Sequence, residues 1–308
     1  MFRALARDTA FLFAAVTSVL LAQETPLTAQ IPTADAAAVE GNPLYRVEVV
    51  VRTTPAVNYG HRTLPTRIDL AGAVYQPEAE GEAVIEAKRG VVHIDAKWKN
   101  LASPQRYGAN YLAYVLWAVT PEGRAQNLGE ITPDANEKAK LETSTQLQTF
   151  ALIVTAEPYY SVTQPSNVVV LENKVRPDTV GRVQIVDAKY ELLPRGRHRL
   201  DLDAVRAHDE ERSGKKVSRK EYESLVGLYQ ARNAVQFAEH AGAAEHAATT
   251  LTKAKNLLDR AERHYASDPK SATVVTLARE ATQTAEDARL ITLRRRNPAS
   301  PAGHSAVL

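Results

Sequence analysis

Eight histidines, 36 carboxylates and no cysteine set the chemistry open to this 308-residue chain. Without a thiol there can be no disulfide, thiolate metal site, thiol nucleophile or acylated lipoprotein anchor. The histidines are His61, His93, His198, His208, His240, His246, His264 and His304. Only His240 and His246 lie close together in the part that reads as helix. Six residues turn a helix to about 120° from alignment, so they do not form the i, i+4 pair of a helical metal site. Glu239 and Glu245 beside them do not restore that spacing. No metal ligand or cofactor-binding residue is therefore assigned. Gly-x-Ser-x-Gly, Walker, dinucleotide and His-Glu-x-x-His patterns are also missing from the sequence. Nothing selects Glu130 or Glu157 from the other carboxylates as an acid and base pair, so no catalytic residue is assigned either.

What remains is contact chemistry. Tyr159 and Tyr160, beside Pro158, are candidate partner contacts, as aromatics exposed at a sheet edge; packing against that edge is the other reading. Arg294, Arg295 and Arg296 close the last helical segment, where cations oppose the negative end of the macrodipole; contact with an anionic surface is the alternative. With 38 basic and 36 acidic residues the net charge is +2. That supplies no global field for nucleic acid, and the tyrosines have no basic groove beside them to act as a platform for single strands.

These residues need elements to position them. Tyr107 to Glu130 is the stretch the rest is organised around. Its centre, Tyr111 to Val119, is apolar on both parities and reads as a central strand, with Trp117 in the sandwich core. Pro121 to Gly123 turn the chain, and Gln126 to Ile131 returns as the second arm of a hairpin. Further extended segments read at Tyr45 to Thr53, Ile68 to Tyr75, Glu82 to Lys88, Val91 to Lys99, Ala139 to Leu147, Phe150 to Thr155, Asn167 to Leu171 and Gly181 to Leu192. Between the first two, TTPAVNYGHRTLPT reads as loop. Many short strands punctuated by Pro and Gly point to an Ig-like β-sandwich.

From Ser218 the period becomes helical. Arg219 to Ala241 offers Leu225, Leu228, Arg232, Val235 and Ala238, with Gly242 as its stop. Ala247, Leu251, Ala254, Leu258, Ala261 and Tyr265 make one stripe; Val274, Ala278, Ala281, Ala285, Ala288 and Thr292 make another. Asp268 or Ser267 reads as the cap of the last helix, with Pro269 in its first turn. Alanine seams bring axes close but bury little apolar area per residue. This antiparallel hairpin, or three-helix unit, must lean on the first helix, the sandwich or a partner. The expected fold is α+β with segregated parts.

The domains read as a signal peptide over 1–22, a flexible linker over 23–42, the sandwich over 43–192, a charged linker over 193–217, the alanine-rich helical domain over 218–296 and a disordered tail over 297–308. Arg3 and Arg7 precede an apolar run from Ala10 to Ala22, too short to span a membrane and consistent with export. No later segment approaches spanning length.

YLAYVLWAVTPEGRAQNLGEI with FALIVTAEPYYSVTQPSNVVVLEN, and LYQARNAVQFAEHAGAAEHAATTLTKAKNLLDRAERHY with AREATQTAEDARL, resemble segments of OmpA-associated bacterial envelope proteins. The second pair is similar to an alanine-rich helical domain of unknown function. The resemblance implies a periplasmic or outer-membrane-associated protein. Peptidoglycan binding is not carried over, because no OmpA-like module follows the helices before Leu308. The expectation is a non-catalytic exported envelope protein that engages an envelope protein or cell-wall component. The alternatives are a peptidoglycan tether or glycan binder and, more remotely, a carboxylate hydrolase.

Overall fold

The computed structural model describes residues 49–60, 64–174, 176, 183–191 and 218–297. The expected signal peptide, both expected linkers and the tail beyond Asn297 lie outside the described residues. Ten strands come first: β1 (Val49–Asn58), β2 (Thr66–Gly72), β3 (Glu80–Lys88), β4 (Val91–Lys99), β5 (Ala113–Val119), β6 (Ala125–Ile131), β7 (Ala139–Thr145), β8 (Thr149–Glu157), β9 (Val169–Lys174) and β10 (Val183–Glu191). All pair antiparallel, in the path β10-β1-β8-β9-β2-β3-β4-β7, with β5 on β8 and β6 on β5. β6 and β7 share no ladder. Their gap is spanned by the Thr143 hydroxyl donating to the Leu128 carbonyl at 2.8 Å and the Thr145 hydroxyl donating to Gln126 Oε1 at 2.6 Å. The sheet thus curls almost into a barrel.

The expected central strand is buried at every position of β5, and the Thr120–Arg124 turn that follows uses Gly123 at φ 82. Its two faces meet different neighbours. Tyr114, Leu116 and Ala118 join Ile68, Leu70, Ile85, Ile94, Trp98, Leu152 and Val154 in the barrel interior. Val115, Trp117 and Val119 join the helices. Trp117 is therefore fully buried, but on the outer face of the sheet rather than in its interior, because strand parity places it opposite Leu116. β8 behaves alike, with Phe150, Leu152, Val154 and Ala156 inward and Ala151 and Ile153 against the helices. Gly81 is needed for the interior, since a Cβ there would lie 2.7 Å from Trp98 Cδ1.

β1 continues through Thr53 to Asn58, where the sequence reads as loop. Pro55 lies opposite Ile185 and Val57 opposite Phe150, so tertiary pairing overrides the turn-forming composition. The helical part holds α1 (Arg219–Ala241), a single turn α2 (Ala243–His246), α3 (Ala248–Ser267) and α4 (Ala272–Arg296). The Ser218 hydroxyl accepts the Glu221 amide to cap α1, and Gly242 ends it at φ 95 in the left-handed region. The α4 cap is Ser271, neither Asp268 nor Ser267. Asp268 ends α3 and accepts the Lys270 amide, so Pro269 lies in the turn before α4.

Every residue of the two expected seams on α3 and α4 except Thr292 is a buried apolar side chain, and Thr292 is buried too. The α1 stripe is less well read: Arg232 is outside it, paired with Glu262 of α3 at 2.7 Å. α1 and α3 run antiparallel, as Lys255–Glu239 at 2.5 Å confirms from the other end. α4 runs parallel to α1. Gly227 of α1 faces Ala278 of α4, where a Cβ would sit 3.5 Å from the alanine methyl, an ordinary contact. Gly227→Ala should therefore raise stability by about 0.5–1 kcal/mol through helix propensity. Ala278→Leu should instead lower it by about 1–3 kcal/mol through overpacking. Urea unfolding followed by circular dichroism checks both signs.

Candidate functional site

The eleven residues between β8 and β9, from Pro158 to Val168, run under the helices and are mostly buried. A buried loop must find partners for its backbone. Side chains from both sides supply them. From β6, Asn127 Nδ2 donates to the carbonyls of Tyr160 at 2.9 Å and Val162 at 2.8 Å. From α1, Asn233 Nδ2 donates to the Pro158 carbonyl at 3.1 Å and Gln230 Oε1 accepts the Tyr160 amide at 3.0 Å. From α4, Glu286 Oε1 accepts the Thr163 amide at 3.2 Å and its hydroxyl at 2.8 Å. Asn127 can reach because β6 bulges opposite Leu116 and Trp117, with Gly129 at φ 131 and its amide held by Asn127 Oδ1.

Below the loop lies a group of ionisable side chains withdrawn from solvent. Arg289 grips Glu286 with two bonds, Nε to Oε2 at 2.7 Å and Nη2 to Oε1 at 2.8 Å, and the Tyr159 hydroxyl adds a third donor at 2.7 Å. This forked geometry is the strong form of an ion pair. Burial alone would favour loss of the Arg289 proton, but the Glu286 charge and hydrogen bonds outweigh it and hold the guanidinium above its ordinary range, protonated. Burial, reinforced by Glu286, pushes the Tyr159 phenol well above its usual range.

Glu157, at the end of β8, is fully buried. Its Oε1 accepts the Ser166 amide at 2.6 Å and the Thr155 hydroxyl, which in turn accepts the Trp117 indole N–H at 2.8 Å. Its Oε2 has no hydrogen-bond donor among the described residues. Burial pushes this carboxyl up to about 8, against the opposing pull of Thr155 and Ser166 and with a small further push from Glu286. At the rim, Glu130 accepts Gln230 Nε2 at 2.8 Å and pairs with Arg279 at 2.7 Å. Arg279 also lies 3.9 Å from the centre of the Tyr160 ring, whose hydroxyl donates to the Arg279 carbonyl at 3.0 Å.

The tyrosine pair read as candidate partner contacts thus meets this chain's own helices: Tyr159 is completely buried, and Tyr160 is half-covered under Arg279. The arginine triplet is also spent locally. Arg296 donates to the Ala241 carbonyl at 2.9 Å and Arg295 to that of His246, so they satisfy the C-terminal ends of α1 and α2 as well as facing the end of α4; Arg294 is half-buried on the same turn. His240 Nδ1 contacts the Gln236 carbonyl, and His246 lies 3.9 Å from Glu245. Among the described residues no three metal-ligating side chains cluster.

Sequence reasoning missed Gln230, Asn233, Glu286 and Arg289. The signal was present on α4, where Thr282, Thr284 and Thr292 sit among alanines so that small residues surround most of the helix. Such a helix is buried on more than one side. By type, Glu157 and Glu286 resemble an acid and base pair. Yet every donor position around Glu286 is filled, and neither carboxyl has any exposed surface through which a substrate could approach.

No known family model matches the chain, and no curated protein is similar to it.

If this cluster clamps the helices to the sheet, Arg289→Met should cost about 3–5 kcal/mol by leaving Glu286 charged and dry, while Glu286→Leu with Arg289→Met should recover most of that loss. Removing the half-exposed Arg232 partner of Glu262 should cost under about 1 kcal/mol. Chemical denaturation of the three variants measures the difference.

Proposed function

We propose that this protein is a non-catalytic, exported cell-envelope module that holds a partner, with the curled sheet an Ig-like sandwich and the helices its buttress. One observation carries the reading: the buried ionisable side chains of the seam are engaged in fastening the helices to the sheet, and none lines an opening. A carboxylate hydrolase draws no support from that arrangement. Export rests on the basic-then-apolar start of the sequence, and the envelope on the resemblance of both halves to OmpA-associated proteins. No described helix is long and apolar enough to cross a membrane.

The surface offered to a partner is the end of the barrel from which β5 starts. There the β2–β3 loop carries Val74, 87% exposed, and Tyr75, 42% exposed. The tip is held stiffly. Gln76 beneath it is buried, donates to the Asn100 carbonyl at 2.6 Å and accepts the Tyr107 hydroxyl at 2.5 Å. Tyr75 stands edge-on to Tyr107, with ring centres 6.1 Å apart, and Arg106 lies over the Tyr107 ring. Preorganised aromatic side chains bind with little entropy loss. The same rings favour the second reading, a peptidoglycan or glycan contact, placed here rather than at Tyr159 and Tyr160.

Tagged full-length protein should capture a defined envelope protein that Val74→Asp with Tyr75→Ala fails to capture. Under the glycan reading the wild type should instead pellet with purified sacculi, and the double variant stay in the supernatant. A wild type and double variant that behave identically in both assays would overturn the assignment of this surface.

A further inference from the structure

Glu157 is a buried carboxyl provided with half of what an ionised one requires. A charge in a dry site needs donors on both oxygens or a cation beside it. Its Oε1 has two donors, its Oε2 none. The cation of the cluster, Arg289, is already forked onto Glu286. Among the described residues the other cation on this side of the sheet, Arg279 of α4, sits at the rim and is paired with Glu130, so none is left for Glu157. β8 itself contributes Thr155, β5 the Trp117 indole, the β8–β9 loop the Tyr159 phenol, Thr163 and Ser166, and α1 the uncharged Gln230 and Asn233. Inside the seam α4 contributes Glu286 and Arg289, a second carboxylate satisfied by a single guanidinium.

We propose that Glu157 is a proton latch: the helices stay seated on the sheet while its carboxyl is neutral, and loss of that proton releases the seam between them. The consequence for pH follows from the carboxyl being pushed up to about 8 by burial, from an ordinary value of 4.5 when the chain is unfolded. Between those values the folded form holds a proton that the unfolded form has lost, so this stabilising contribution is complete below 4.5 and is lost as pH rises through about 8.

The release is local for a structural reason. The loop, α1 and α4 meet the sheet through an apolar cluster of their own and through side-chain ties: Tyr159 and Thr163 to Glu286, Gln230 to Tyr160, Asn233 to Pro158. The barrel interior behind them is an apolar cluster built from separate residues, the inward positions of β5 and β8 among them. An ionised Glu157 is relieved by water entering the seam, which costs those ties and the apolar contact beside them and leaves the interior in place. The latch concerns how the two layers of this chain hold together and stands whether or not the binding surface proposed above is correct.

Hydrogen exchange of the full chain, corrected for intrinsic rates, separates the layers. Protection of residues 150–168 and 277–292 should fall about tenfold for each pH unit between about 4.5 and about 8 and level off above that, while β3 and β4 keep theirs. In Glu157→Gln, which keeps the shape and cannot ionise, protection of the same segments should be independent of pH over this range. Equal falls in wild type and variant, or no fall in the wild type, would overturn the latch. Should the variant not fold, infrared spectroscopy of the wild type decides: a protonated carboxyl band at neutral pH that disappears near pH 8 supports the proposal, and its absence at neutral pH refutes it.

Discussion

The structure depends on one strand pair, β5 and β8, having no wet face. Antiparallel strands ordinarily solvate one side, and both sides of this pair are apolar: Leu116, Leu152 and Val154 inward, Val115, Trp117, Ala151 and Ile153 outward. Barrel closure can satisfy only the inward set. The outward set has to be covered by something else, and the alanine seams of α1, α3 and α4 cannot bury enough area by themselves to stand alone. Each layer thus has an exposed apolar face that the other removes from water, and their union is one continuous cluster of buried residues.

Covering a sheet with helices creates a second problem, because the chain that links β8 to β9 passes through the contact. Its backbone groups lose water there and have no ladder to join. The solution is a set of polar side chains that are unusual for a core: Asn127, Gln230, Asn233 and Glu286 each serve loop backbone, and Arg289 neutralises Glu286. Apolar replacements would pack as well, but would leave those backbone groups orphaned. The polar seam also fixes a single seating of helices on sheet, since alanine faces slide easily and the directional bonds from the loop to Glu286, Gln230 and Asn233 do not.

The architecture was largely legible. Alternation over Val91 to Lys99 marks β4 residue for residue, Arg219 to Ala241 is α1 to its Gly242 stop, and the α3 and α4 stripes are the buried seams. Where the reading departs, a distant partner decides. β1 runs past its turn-like Pro55 because β10 lies alongside, and Ser271 rather than Asp268 caps α4 because the chain leaves α3 through a turn. The site was much less legible. Glu286 and Arg289 three residues apart on a helix look like a solvated pair, and Tyr159 beside Tyr160 looks like an exposed contact; nothing local says that a sheet covers the one and helices the other.

Residue order alone settles which segments extend, which coil and which of their faces shed water, because strand and helix periods are local properties of the backbone. It also settles that the chain has no thiol chemistry. Tertiary structure alone decides that the outer face of β5 and β8 is the seat of the helices, and that Glu157 ends its strand shut off from bulk solvent and with no cation of its own. Burial is a property of the neighbours that arrive from a hundred residues away, and a carboxyl carries no mark of them until they do.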